Sequence, residues 1–261
     1  MWRSLVKGFH RWSSPKWFYQ ISQPWSFWLG CLGALISLIA IVWGLGFAPE
    51  ERLQGNSYRI IFIHVPSAFL SQAIYIGIAV AGAIGLIWRI KLAFYVAKAA
   101  IGLGISMAFV ALVTGAIWGK PTWGQWWVWD MRITSMLILL LLYVGLWALH
   151  NAIEHSASAD KAAAILALVG VVNIPVIKFS VNLVTTLHQP ATLKLTEKAP
   201  MHISMLIPLL LSILGFYLSF LALLFIRTRL EILHRETKAA WAQQEIAQLV
   251  YGVVKSQGKG E

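Results

Sequence analysis

The chain has 261 residues, of which 59% are apolar and 12% charged, with mean hydropathy +0.71 and a net charge of +11. Soluble domains run nearer half apolar, so an ordinary water-soluble globule is excluded. The basic residues stand at the ends of apolar runs and form no basic domain, which excludes nucleic acid as a partner and points to topology signals instead.

Taken in chain order, the basic stretch 1–24 reads as a cytoplasmic segment. The apolar run 25–47 exceeds the 7–15 or so residues of a signal-peptide core and is expected to be a retained first helix. It holds Cys31, the sole cysteine, so there is no internal disulfide and no C-x-x-C zinc or haem-attachment motif. Cys31 is expected to be a small core residue. The second run, 69–88, follows Pro66, which suits a helix start because no backbone N–H is needed there. That places His64 just before the turn, on a rigid lip. The third run, 99–118, leads into an outward segment, 119–131.

The fourth run, 133–149, begins beside Asp130 and Arg132, where an Asp is expected to cap free N–H groups. The fifth, 162–183, carries Asn173, Pro175, Lys178 and Asn182. Lys178 is costly in lipid and is expected to face protein or snorkel outward. The sixth, 203–226, precedes a charged tail, 227–261, that reads as a surface helix fraying after Lys255 and serving as a solvated anchor. Each run is near the roughly 20 residues that span a bilayer.

The expected fold is therefore an all-α integral membrane protein, a bundle of six transmembrane helices over 25–226. With the N-terminus inside, inward segments hold 14 of the 21 Lys and Arg and outward ones 7. This bias places both termini in the cytoplasm. The stretch 115–122 faintly resembles a phosphate loop, but Pro121 stands where one needs Ser or Thr and Thr114, just before the stretch, where one needs Gly, so no ATP is bound by that route.

The same topology sorts the histidines. His10, His150, His155 and His234 fall inside, while His64, His188 and His202 fall at the outer side. The outer side also holds Trp118-Gly-Lys-Pro-Thr-Trp-Gly-Gln-Trp-Trp-Val-Trp-Asp130, five of the fourteen tryptophans in thirteen residues. Interfacial belts explain scattered residues such as Trp25, Trp28 and Trp43. A cluster on a loop with Gly119 and Gly124, which permit tight turns, offers several flat faces to a large planar apolar ligand.

His64 lies 24 residues before Trp88, and His188 lies 26 beyond Ala162. At about 1.5 Å per helical residue both exceed the ~30 Å hydrocarbon core and reach the level of the tryptophans. Paired imidazoles beside an aromatic platform suit haem, whose iron commonly takes neutral imidazole. Arg59, Lys120, Arg132 and Lys178 are candidate partners for the propionates. His188 and His202 remain alternatives for the second ligand on these grounds.

Trp123-Gly-Gln-Trp-Trp-Val-Trp-Asp130 resembles the WWD signature of haem-handling proteins in cytochrome c maturation. Gly55-Asn-Ser-Tyr-Arg-Ile-Ile-Phe-Ile-His-Val-Pro66, Ala111-Leu-Val-Thr-Gly115, Trp118-Gly-Lys-Pro121, Gly170-Val-Val-Asn-Ile-Pro175 and Thr186-Leu-His-Gln189 are similar to the CcmC family, and the likeness runs from about Trp25 to Ile226. The larger WWD relatives CcmF and CcsA are longer or carry more histidines. The resemblance implies six spans in the bacterial inner membrane, with haem held at the periplasmic face by the WWD loop.

The family's two axial histidines match His64 and His188. Trp118, Trp123, Trp126, Trp127, Trp129 and Asp130 would form the platform. Haem b would be transient cargo, passed to the membrane-anchored chaperone CcmE, with the cassette subunits CcmA and CcmB and the small protein CcmD as further partners. Covalent attachment would use the chaperone's histidine, so this chain is expected to handle haem, and no catalytic residue is assigned. The rival expectations are a transporter carrying haem across the membrane, hinted at by His150 and His155, and a structural subunit of the cassette complex.

Overall fold

The computed structural model describes residues 13–183, 188 and 201–257, and among these the regular structure is helical. Six segments are long and apolar enough to cross a membrane: Pro15–Phe47, Asn56–Trp88, Lys91–Trp123, Met131–Ala152, Ser156–Val181 and Ile203–Arg235. The chain is thus a multi-pass membrane protein with the expected number of spans.

Helix α1 (Pro15–Val42) starts ten residues before the first apolar run, with Pro15 in its first turn, where a missing N–H costs nothing. It continues into a π turn, Trp43–Phe47, closed by the Ala48 N–H donating to the Trp43 carbonyl at 3.0 Å. Gly44 lies against the ring of Phe62, and a Cβ there would collide with it. The connection holds Gly55 at φ +56, a conformation that favours glycine. A 3-10 turn, Asn56–Ile60, then leads into α2 (Ile61–Trp88). The helix start therefore precedes His64, which sits in the first turn of α2, and Pro66 lies inside the helix.

Helix α3 (Lys91–Trp123) also runs further than expected and takes Gly119 into its last turns. Gly124, at φ +74, ends it, its N–H donating to the Lys120 carbonyl at 3.0 Å. Gly119 supplies close approach instead of a turn, since a Cβ there would stand 3.1 Å from the Gln125 carbonyl oxygen. Helix α4 spans Met131–Ala152.

The fifth span is broken into α5 (Ser156–Gly170) and α6 (Asn173–Leu183). Pro175 has no N–H for the Val171 carbonyl, which accepts from the Ile174 N–H at 3.0 Å instead. The Asn173 side-chain amide ties the break to α4 by donating to the Ser135 carbonyl at 2.8 Å. Helix α7 (Ile203–Arg235) completes the bundle, and α8 (Ala240–Gln257) docks on it and on α1 through Trp241, Ala242 and Ile246.

The main core joins α2, α3, α4 and the broken span around Tyr75 and Tyr143, both fully buried and edge to face at 5.2 Å. The Tyr143 hydroxyl donates to the Ser71 carbonyl at 2.6 Å. Gly104 makes room for the Tyr143 ring and Gly170 for the Tyr75 hydroxyl. Helix α1 packs along α7 through small residues, Gly33 against Ser219 and Ser37 against Gly215, which lets the backbones approach closely. Cys31 is exposed on the outside of the bundle and is not a core residue, because the buried face of α1 is the one carrying Gly33 and Ala40. The basic residues of 1–12, His10 among them, and residues 184–187, 189–200 and 258–261 lie outside the described residues.

At the end where α1 begins, buried charges link four helices. Arg235 donates to both oxygens of Asp160, at 2.6 and 2.9 Å, and also bonds Glu231. Lys98 reaches Glu231 at 2.8 Å, and His150 Nδ1 lies 3.9 Å from Asp160. Beside this network a small pocket of about 10 Å³ is lined by Ile78, Phe94, Leu146, His150 and Asp160 among others.

Candidate functional site

The opposite end of the bundle gathers most of the residues singled out in the sequence. The last turns of α3 are its scaffold. Thr114 and Trp118 are four residues apart and share a helix face, and both meet His64 from α2. The His64 Nδ1 lies 3.1 Å from the Thr114 hydroxyl, and its ring stands edge-on to Trp118 with centroids 5.6 Å apart. A Cβ on Gly115 would come within 3.1 Å of His64 Cε1. The Ala111-Leu-Val-Thr-Gly115 motif is therefore the wall that seats this histidine.

Trp118 is itself fixed. Its indole N–H donates to the Gln54 side chain at 2.7 Å, and its ring meets Tyr58 edge-on at 5.8 Å. Five residues on, Trp123 stands 4.8 Å from the ring of His188, centroid to centroid. The His188 Nδ1 lies 2.7 Å from Asp130 Oδ2. Asp130 is the N-cap of α4, its Oδ1 accepting from the Ile133 N–H at 2.8 Å. One carboxylate thus closes a helix end and orients an imidazole. His64 and His188 lie within electrostatic range of each other and of Arg132.

Burial pushes the His188 pKa below its ordinary value. The Asp130 hydrogen bond and charge pull it partly back, and Arg132 opposes them. The net effect favours the neutral imidazole, the form that ligates metals.

The remaining tryptophans line the loop after Gly124. Trp126 and Trp129 are 58% and 75% exposed, large apolar rings turned outward. Trp127 packs edge-on to Trp129 at 5.5 Å, and its indole nitrogen is buried with no hydrogen-bond partner among the described residues.

The basic candidates divide. Arg59 donates to the carbonyls of Leu45 and Ala48, at 3.1 and 2.6 Å, and so caps the end of the first span. Lys120 reaches the Gly124 carbonyl at 3.1 Å, and Arg132 Nε donates to the Ser180 hydroxyl at 3.2 Å. Lys178 is exposed on α6, consistent with a snorkelling side chain. His202 serves as the N-cap of α7, accepting from the Ser204 N–H. Sequence reasoning missed Thr114, whose signal was its four-residue spacing from Trp118.

Fold and site together define a six-span membrane protein with a paired-histidine, tryptophan-lined site at one end of the bundle. The family model described as CcmC, Heme exporter protein C, matches residues 8–243. A Heme exporter protein C of Escherichia coli strain K12 is 44% identical over 246 residues, covering 94% of this chain and 98% of the relative. That of Haemophilus influenzae is 42% identical over 243 residues, with 93% and 97% covered. That of Paracoccus denitrificans is 42% identical over 221 residues, with 84% and 91% covered. The chain belongs to the CcmC, or Heme exporter protein C, family.

Proposed function

We propose that this chain binds haem b as transient cargo at the histidine end of the bundle and hands it to the chaperone CcmE during cytochrome c maturation. His64 and His188 are the axial ligands, and the indoles from Trp118 to Trp129 shield the macrocycle. The family supplies haem as the cargo. The observation that carries the site is that both imidazoles stand edge-on to indoles of α3, each with its Nδ1 engaged by a neighbouring side chain. With Nδ1 committed, iron ligation falls to Nε2 in both.

In this reading Trp123, Trp127 and Asp130 hold the inner edge of the site. Trp126 and Trp129, turned outward, cover the exposed rim of the ring and offer it to the chaperone. The buried Trp127 N–H is a donor for a propionate. Arg132 and Lys178 are further propionate candidates, whereas Arg59 and Lys120 serve chiefly to hold the backbone. The charge bias of the loops supports the periplasmic face for this end. CcmA, CcmB and CcmD are the expected partners in releasing the loaded chaperone.

The rival reading, passage of haem through this chain, is disfavoured by the centre of the bundle. Tyr75, Tyr143, Leu139 and Leu146 fill it with 0% exposure each. The pocket at the far end, about 10 Å³, is far below the 300–1,000 Å³ or so of pockets for drug-sized ligands. A purely structural role leaves two oriented imidazoles without a purpose.

The test is the double variant His64→Ala/His188→Ala in membranes that also contain the chaperone. The proposal expects normal insertion, no haem copurifying with the chain and no loaded chaperone. Unchanged loading would overturn it.

A further inference from the structure

The two histidines are held by chemically different partners. The Thr114 hydroxyl has one hydrogen, and it donates to the Val110 carbonyl at 2.6 Å. The lone pair it turns to His64, at 3.1 Å, therefore accepts from Nδ1–H; the Ala111 backbone also takes a hydrogen bond from this imidazole, and both acceptors are neutral. The acceptor for His188 is the Asp130 carboxylate at 2.7 Å. Hydrogen bonds to an ionised acceptor are shorter and roughly twice as strong as neutral ones. Drawing Nδ1–H towards a carboxylate raises the donor strength of Nε2 on the same ring. The carboxylate is also anchored, because its other oxygen caps α4 at the Ile133 N–H.

Resting on the reading of both histidines as haem ligands, we propose that Asp130 makes His188 the strong, retained ligand, and that Thr114 leaves His64 the weaker ligand, which departs first. Asp130 and Thr114 are positioning residues. They never touch iron, yet they set the order in which its bonds break. Release then begins on the α2 side, while His188 holds the haem against Trp123 until the acceptor's own ligand arrives. A symmetric pair would have no preferred order, and loss of either ligand would free the cargo at random.

The experiment uses the full chain loaded with haem and compares the wild type with Asp130→Asn and Thr114→Val. Asn keeps an oxygen for the α4 cap but removes the carboxylate. Two readouts separate the sides: the midpoint potential, and the rate at which carbon monoxide binds reduced haem, which is limited by departure of the weaker histidine. Asp130→Asn is expected to move the potential positive and weaken haem retention by about 10–100-fold. Thr114→Val is expected to speed carbon monoxide binding about tenfold with the smaller change in potential. Thr114→Ser, which keeps the acceptor, restores the wild-type rate.

Asp130→Asn speeding carbon monoxide binding more than Thr114→Val would overturn the order, as would equal shifts in potential. A wild type without a bis-imidazole spectrum would instead remove the ligand reading itself, and this inference with it.

Discussion

His188 carries opposing influences on one proton. Burial disfavours its charged form, Asp130 favours it and Arg132 disfavours it, and the balance falls below the ordinary histidine value near 6.5. The neutral imidazole therefore persists to lower pH than in a free histidine, and the haem-bound absorption spectrum should be lost on acidification with a midpoint below 6.5. A spectrum lost with a midpoint at or above pH 6.5 would contradict this. The sign for stability follows from the same shift. The unfolded chain takes up this proton first, so the apo-protein loses stability as pH falls below about 6.5.

Trp127 offers a second test at this scale. Trp127→Phe removes a buried donor that has no partner among the described residues, and such donors cost about 1–3 kcal/mol. The apo-protein should melt no lower than the wild type, while haem affinity falls. Unchanged affinity would remove Trp127 as a propionate donor.

Residue roles were legible in part. The alternation of spans and loops placed His64 and His188 at one end, and an Asp before an apolar run announced a helix cap. What that cap also holds depends on a residue 58 positions away, which no local pattern contains. Arg59 read as a candidate propionate partner because sequence does not reveal that the carbonyls of Leu45 and Ala48 fold back to meet it.

At the scale of elements, the number of spans followed from run length, because each must cover the hydrocarbon thickness. Their ends did not. Lys91–Trp123 carries Gly119 and Pro121 inside a helix, since the Thr122 hydroxyl bonds the Trp118 carbonyl and Gly124 supplies the stop. The break between α5 and α6 was foreshadowed by Pro175, but the close approach of the Tyr75 hydroxyl to Gly170 at the end of α5 was not. This contact gives a clear prediction. Gly170→Ala places a methyl group against the Tyr75 hydroxyl and should cost about 1–3 kcal/mol, read as a lower melting temperature in detergent. Gly170→Ala/Tyr75→Phe, lacking the hydroxyl, should regain most of the loss. A double variant as unstable as the single one would show that the glycine serves the break itself.

At the scale of the molecule, the two ends of the bundle do different work. One gathers imidazoles and indoles. The other is a buried ionic clamp in which Arg235 and Asp160 have side chains 9% and 7% exposed. Removing one partner of a buried pair strands the other and costs about 3–5 kcal/mol. Arg235→Ala should therefore lower the melting temperature and the amount of inserted protein. The fully packed centre between the ends should leave the haem spectrum of the surviving protein unchanged. A spectrum altered in Arg235→Ala would show that the two ends communicate.

The most direct measurement for the whole account is the absorption and electron paramagnetic resonance spectrum of the purified, haem-loaded chain, taken for the wild type, His64→Ala and His188→Ala. Low-spin bis-imidazole haem in the wild type, replaced in each single variant by a spectrum with one histidine lost, is the predicted result. A wild-type spectrum that persists in either variant would contradict it.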